Sequence, residues 1–410
     1  MDLGIKRLRH LIINHYASAL SSMRMADGEL VGKRLGIVGG GQLGRMLGEA
    51  ASQLGVDIIV LDPTPNAPAS SVSVDQIVAA FDDGDAIKEL AARTDRLTFE
   101  IELAGPSKLR EAEADTGTPV EPAPDTLALI QDKFRQKRAF QNAGIPIPRC
   151  RAVESVADIR EACKELGYPA MLKARFGGYD GRGNVPIVTD SSLPDLYEEV
   201  GGGAAMVEEF IEFTRELSVI GVKNSDERRT YTPVENIHEA EILRETVVPA
   251  RCEEQTKNQA IAVAEQVLDM LEGRGVFGIE LFETTDGEIL VNEVAPRPHN
   301  SGHWTIEGAV TSQFEQHIRA VFDVPLGSTE VVQPIVTKNL LGASNKAQPV
   351  SVASVEPILA HESVKLHWYG KKDVRPLRKM GHISLSDPTT RDQTTLLSDI
   401  RSVVEDIDIA

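Results

Sequence analysis

The stretch Gly275–Trp304, GVFGIELFETTDGEILVNEVAPRPHNSGHW, restricts the fold more than any other part of the chain. Two apolar runs, Val276–Phe282 and Ile289–Val294, flank Asp286-Gly287, a dipeptide that favours a two-residue hairpin turn. Centring the pairing on that turn sets Thr285 opposite Glu288, Leu281 opposite Asn292, and Glu280 opposite Glu293. Two carboxylates facing each other across a β-pair repel, so a positive charge is expected between them. Mg²⁺ is such a charge, because it takes oxygen ligands and is held by one or two carboxylates together with substrate phosphates. Arg297, His299, Asn300 and His303 follow at once, a dense polar run in an apolar neighbourhood. The plainer alternative is a solvated hairpin face with two spare glutamates.

The chain has 410 residues, enough for two or three domains. A formal charge of −19 argues against a nucleic-acid surface, which carries a basic stripe. It leaves room for a local basic pocket. Cys150, Cys163 and Cys252 are widely spaced and form no metal or redox motif, which fits a reducing cytoplasmic compartment. No apolar run approaches the roughly 20 residues of a membrane span.

Residues 1–32 are basic and poor in acids, against the trend of the chain. They read as an N-terminal extension, with an amphipathic targeting peptide as the alternative. Lys33–Val38 is then a strand leading into Gly39, Gly41 and Gly44, and Asp62 ends the next strand. Glycines in that order between strand and helix match a dinucleotide fingerprint, but the same βα turn is a general anion cradle. Strands and helices go on alternating: Gln76–Val78, a helix near Asp85–Thr94, then RLTFEIE as a strand ending in Glu100 and Glu102. Pro-rich Val120–Pro124 is a linker, and Asp125–Ala143 a helix closed by Gly144 and Pro146.

The helix Asp158–Leu166 and strand YPAMLKA precede GGYDGRG, Gly177–Gly183, with four glycines in seven residues and Lys173 just upstream. Such a loop turns backbone N–H groups toward phosphate oxygens while the lysine adds charge. It lacks the G-K-[ST] of a Walker A motif, and a plain turn would have little need of Tyr179, Asp180 and Arg182. AAMVEEFIE and RELSVIGV read as acidic strands carrying Glu208, Glu209 and Glu216. His238 falls in a polar connection, and Glu254–Leu271 and Gln313–Phe322 are helices. After Pro325 short strands and turns prevail, with Lys371, Lys372, Arg375, Arg378 and Lys379 placing five cations in nine residues. In an acidic chain that run is either a solvated face or an anion site.

In order, these parts resemble the ATP-grasp superfamily. GIVGGGQLGRML, LTFEIE, QDKFRQK, KARFGGYDGRG, VENIHEAEIL, NEVAPRPHNSGHWT and LHWYGKKDVRPLRKMGH are similar to the N5-carboxyaminoimidazole ribonucleotide synthetase family, from Lys33 to the C-terminus. The resemblance implies an α/β and α+β chain: an extension 1–32, a Rossmann-like domain 33–124, an ATP-grasp domain 125–330, and a small β-rich domain 331–410. It implies carboxylation of 5-aminoimidazole ribonucleotide with ATP and bicarbonate in purine biosynthesis, with homodimers usual and neither biotin nor NAD required. Lys133 and Lys173 would bind ATP phosphates under a lid containing Gly177, Gly178 and Gly181. Glu208, Glu209, Phe210 and Ile211 would run along the adenine, with Glu216 on the ribose and His238 nearby. Glu280 and Glu293, beside Asn292, would hold Mg²⁺. Tyr179, Arg182, Arg297, His299 and Asn300 would surround bicarbonate, and Asp180 would approach the substrate amine. Gln42, Leu43, Glu100, Lys372, Arg375 and Arg378 would line the ribonucleotide and its phosphate. Pro376-Leu377 and one extra residue in KKD depart from the family pattern and leave the register of Lys371 against Lys372 open. The rivals are other acyl-phosphate ligases, such as formate-using glycinamide ribonucleotide transformylase or biotin carboxylase. From other classes come an NAD-dependent dehydrogenase and a nucleotide sensor.

Overall fold

The computed structural model describes residues 30–177, 183–351, 355–387, 392–405 and 409. Strands β1 (Arg34–Val38), β2 (Asp57–Leu61), β3 (Asp75–Ile77) and β4 (Arg96–Phe99) form a parallel sheet in the order β3-β2-β1-β4. Leu35, Ile37 and Val38 are completely buried, as expected of strands covered by helices on both faces. Helix Gln42–Gln53 covers one face and meets helix Gln313–Val321 there; helices Gly84–Ala92 and Pro106–Thr116 cover the other. β1 and β4 lie on either side of the point where strand order reverses, so the Gly39–Gly44 loop and Glu100 meet at the crevice where such sheets bind ligands. β4 stops at Phe99, which places Glu100 and Glu102 in the following turn instead of on the strand.

The single helix expected over Asp125–Ala143 is two, Pro124–Gln131 and Lys133–Asn142. Asp132 breaks it. Its backbone is extended (φ −101°, ψ 97°) and its carboxylate caps the second helix by accepting from Arg135 N at 3.1 Å. Aspartate competes for backbone donors in this way, which suits it to caps rather than helix interiors.

β5 (Cys150–Val153), β6 (Ala170–Ala174), β7 (Asn184–Ile187) and β8 (Ala205–Glu209) make an antiparallel sheet in the order β5-β8-β6-β7. The third sheet begins with β9 (Phe213–Lys223), flanked at one end by β10 (Arg228–Thr230), and continues with β11 (Val234–Glu239) and β12 (Ile242–Val248). Its other strands are β13 (Gly275–Thr284), β14 (Ile289–Ala295), β15 (Ile335–Leu341), β17 (Val364–Trp368) and β19 (Lys379–Leu385); β16 (Gln348–Pro349) pairs separately with β18 (Asp373–Val374). The order β14-β13-β9-β11-β12-β15-β19-β17 shows that strands on both sides of residue 331 share one sheet. Helix Glu254–Met270 packs on it through Ala260, Val263, Ala264, Val267 and Leu268.

His238 lies on β11, not in a polar connection. β11 and β12 are joined by Ala240-Glu241, both with positive φ (52° and 62°), between the paired residues Glu239 and Ile242. Two positive-φ central residues are the type I′ hairpin geometry, which glycine and asparagine normally signal. Neither is present here, so the sequence conceals the turn.

Candidate active site

The opening hairpin forms, and Glu280 does face Glu293. The rest of its register differs from the sequence reading. Thr284, not Thr285, faces Glu288: Thr284 N donates to Glu288 O at 2.9 Å and Gly287 N donates to Thr284 O at 3.0 Å. The loop therefore has three residues, and only Gly287 (φ 81°) is left-handed, a type I turn closed by a glycine. That loop shifts the register by one residue. A bulge at Asn292 shifts it back, because Leu281 pairs with Val291 while Glu280 pairs with Glu293. Along β14, Asn292 and Glu293 are consecutively half-exposed between buried neighbours. The bulge thus turns both polar side chains to one side, as bulges near active sites do.

Glu280 is matched by His299, whose Nε2 lies 3.1 Å from Glu280 Oε1. Ser218 Oγ donates to Ser301 Oγ at 2.7 Å, and Ser301 Oγ lies 2.8 Å from His299 Nδ1. Ser301 therefore gives its own proton to Nδ1, leaving the Nε2 proton of His299 for Glu280. Gly278 allows the approach: a Cβ there would stand 2.4 Å from His299 Cβ. Burial pushes the Glu280 carboxyl up, but His299 and then His238 outweigh it and hold it down at about 2.

Glu293 is met by Lys133, Nζ to Oε2 at 3.4 Å. Deeper, the Glu208 carboxylate sits between Lys173 and Lys137, the latter at 2.9 Å. Burial raises Glu208, yet the two ammonium groups prevail and hold it at about 2. Its side chain is thus committed to the lysines. Glu209 is likewise taken, accepting from Arg149 N at 2.7 Å. Phe210 is exposed and Ile211 half-buried, in the short link between β8 and β9. Glu216 Oε2 and His238 Nδ1 are 3.0 Å apart, and Glu216 keeps the buried imidazole above its ordinary range despite desolvation.

Arg297 Nη2 reaches Glu102 Oε1 at 2.7 Å. Asn300 Nδ2 is buried and has no hydrogen-bond partner among the described residues, a state that invites a ligand oxygen. Gly177 is exposed with φ 74°; Gly178, Tyr179, Asp180, Gly181 and Arg182 lie outside the described residues.

The glycine-rich turn of the parallel sheet is filled by the chain itself. Glu100 accepts from Gly41 N at 2.5 Å and Gly44 N at 3.2 Å. Asp62 accepts from Gly40 N at 2.9 Å and Thr64 N at 2.8 Å. The donors that a dinucleotide pyrophosphate would use are engaged. Burial, only partly offset by those backbone bonds, pushes Glu100 up to about 7. Gln42 is half-buried at this turn, whereas the Leu43 side chain is in the core (5% exposed).

Of the cationic run, Lys371 turns inward. Its Nζ donates to Lys379 O at 2.7 Å and lies 5.6 Å above the Tyr369 ring. Burial and then Arg378 pull its ammonium down to about 7, with Glu100 pulling the other way. Lys372 and Arg375 are exposed, and Arg378 Nη1 donates to Asp373 O at 2.7 Å. Sequence reasoning left out Lys137. It stands one helical turn after Lys133, a spacing that puts both on one face and was the available signal. Nothing local marks Arg297 as the partner of Glu102.

Mg²⁺ suits this wall. Glu280, Glu293 and Asn292 supply hard oxygen donors at the bulged hairpin, and their present partners are the cationic or proton-donating groups of Lys133 and His299.

Three family models match the chain: a ribonucleotide synthetase preATP-grasp domain over 32–131, an ATP-grasp domain over 138–314, and a phosphoribosylaminoimidazole carboxylase C-terminal domain over 336–394. The N5-carboxyaminoimidazole ribonucleotide synthase of Brucella melitensis is 40% identical over 362 residues, 88% of this chain and 98% of the relative. That of Bacillus subtilis is 38% identical over 354 residues, 86% of this chain and 91% of the relative. The N5-carboxyaminoimidazole ribonucleotide synthetase structure from Thermotoga maritima superposes with a TM-score of 0.83 at 41% identity, covering 92% of this chain and 99% of that one. An Aspergillus clavatus synthase in complex with ADP and 5-aminoimidazole ribonucleotide gives a TM-score of 0.84 at 33% identity, covering 92% and 99%. At these identities and over this much of both chains, the chain belongs to the N5-carboxyaminoimidazole ribonucleotide synthase family of ATP-grasp ligases.

Proposed function

We propose that the chain carboxylates the exocyclic amine of 5-aminoimidazole ribonucleotide with ATP and bicarbonate, a step of purine biosynthesis. The observation that carries this reading is the wall formed by Glu280 and Glu293, with Lys133 and His299 paired to them. ATP lies with its phosphates toward Lys133 and Lys173 and its adenine along the backbone of Glu208–Ile211. Glu280 and Glu293, with Asn292 beside them, would hold Mg²⁺, which would supply neutralisation of phosphate charge during phosphoryl transfer.

Bicarbonate oxygen takes the γ-phosphoryl group, giving carboxyphosphate and ADP. Arg297, His299 and Asn300 orient the bicarbonate, and the open Asn300 Nδ2 donates to one of its oxygens. The amine nitrogen then bonds to the carboxyl carbon, inorganic phosphate leaves, and the amine proton passes to a base, the role given to Asp180. Tyr179 and Arg182 belong to the same glycine loop, which excludes water from the labile intermediate. At the far end Glu100 and Gln42 meet the ribonucleotide, and Lys371 takes the phosphate-facing place for which Lys372 was first named, with Arg375 and Arg378 near it.

The test is phosphate release from MgATP and bicarbonate with 5-aminoimidazole ribonucleotide present or absent. Stimulation by the ribonucleotide is expected. Stimulation by formate or biotin in its place would reassign the enzyme to a sister ligase.

A further inference from the structure

Gln313 opens the helix Gln313–Val321 and has no exposed surface. The helix does not need it as a cap, since Ser312 Oγ already accepts from Glu315 N at 3.1 Å. Its amide is spent instead on a loop. Oε1 accepts from His299 N at 2.9 Å and Nε2 donates to His299 O at 2.7 Å. The second Nε2 hydrogen points to His303 Nδ1, 3.4 Å away. Below the side chain, Gln313 N donates to Thr305 Oγ1 at 2.9 Å, and that hydroxyl donates to Gly302 O at 2.6 Å. Both backbone groups of His299 are thus gripped by one side chain, as a neighbouring strand would grip them.

The fit is close. A Cβ on Gly302 would meet Gln313 Oε1 at 2.4 Å and Nε2 at 2.8 Å. A buried amide carries a desolvation penalty that an apolar residue at this position would avoid. The contacts of Gln313 therefore point to what it holds. His299 has two hydrogen-bonded ring nitrogens, one on Ser301 and one on Glu280, and a small rotation of its backbone would break both.

We propose that Gln313 is the positioning residue for His299, setting the backbone so that the Nε2–H of His299 keeps donating to Glu280 beside the metal wall. This rests on the reading of Glu280 and His299 given above. The ionisable groups around residue 313 are His299, His303 and Arg297 on the loop, with Glu280 on β13 and Lys379, His367, His382 and Tyr369 beyond them. Ionised, Gln313→Glu keeps the acceptor for His299 N but sets an anion against His299 O; protonated, it restores donor and acceptor alike. Burial favours the protonated form as pH falls.

Expected for Gln313→Glu at pH 8 is a kcat for ribonucleotide-dependent phosphate release lowered about 10–100-fold, with KM for ATP nearly unchanged. Relative to the parent, kcat should recover as pH is lowered toward 6. Gly302→Ala, where φ is not positive, should displace the amide and give a similar kcat loss with no recovery at low pH. It also carries the test if Gln313→Glu does not fold. His299→Ala, losing activity at least as severely, anchors the comparison. If His299→Ala is inactive while Gln313→Glu keeps a pH-independent ratio to the parent and Gly302→Ala turns over normally, the positioning role is overturned and the site reading stands. If His299→Ala itself is fully active, both are overturned.

Discussion

Glu100 and Glu280 are both carboxylates withdrawn from water, and they come out on opposite sides of the ordinary range. Glu100, in the glycine-rich turn, is bonded to the N–H groups of Gly41 and Gly44 and is pushed up to about 7. Glu280, on the hairpin, is paired with His299 and held at about 2. Neutral amide dipoles at one site do not recover the cost of desolvation; at the other a proton-donating imidazole and further cations do. The first site is a closed arrangement in which the chain answers its own donors. The second is open to exchange at Glu293, whose side-chain partner Lys133 is one that a metal ion and phosphates would replace.

The largest effect should come from Glu293→Gln, which removes one of the two anions facing across the hairpin. Turnover should fall about 1,000-fold or more, roughly 4 kcal/mol of transition-state stabilisation. The melting temperature should hardly move, since the Glu293 side chain is half-exposed and its contact with Lys133 is long at 3.4 Å. Normal turnover would remove the metal role.

Next is Glu208→Ala, which leaves Lys137 and Lys173 buried with like charges and no anion between them. Breaking a buried ion pair from one side costs about 3–5 kcal/mol, measurable by denaturant unfolding. A loss under 1 kcal/mol would mean that the lysines find water.

Glu100→Gln sharpens the contrast through pH. A carboxyl raised in the folded state contributes stability that is fully present below its unfolded value, near 4.5, and is lost as pH rises through about 7. The parent should therefore lose stability relative to Glu100→Gln between pH 4.5 and 7, by on the order of 3 kcal/mol. Glu280 has the opposite sign. Its contribution is present above about 4.5 and is lost as pH falls toward 2. Chemical denaturation across these windows checks both signs. The smallest effect belongs to Gly287→Ala: with φ 81° and open space around it, the cost is about 1 kcal/mol of backbone strain, with turnover unchanged.

Much of this was legible in the residues, though not always for the right reason. The facing of Glu280 and Glu293 followed from a two-residue turn that does not exist; the three-residue loop and the Asn292 bulge shift the register in opposite senses and cancel. Apolar alternation indicates that a strand is there, but a bulge changes its register without changing its composition. The hairpin carrying His238 was hidden because Ala240 and Glu241 adopt the conformation that glycine or asparagine usually marks. Asp132 was a readable helix cap inside what otherwise looked like one periodic run. The ion pairs Arg297–Glu102 and Lys137–Glu208 link residues 195 and 71 positions apart in the chain. Pairings at that range are set by how sheets and helices pack, and no local pattern announces them.

The most direct test is the effect of Mg²⁺ on ADP binding, measured by titration calorimetry in the parent and in Glu293→Gln. An exchangeable hairpin predicts that Mg²⁺ tightens ADP in the parent by tenfold or more and does almost nothing in the variant. If the Mg²⁺ increment survives in Glu293→Gln undiminished, the paired carboxylates are not the metal wall.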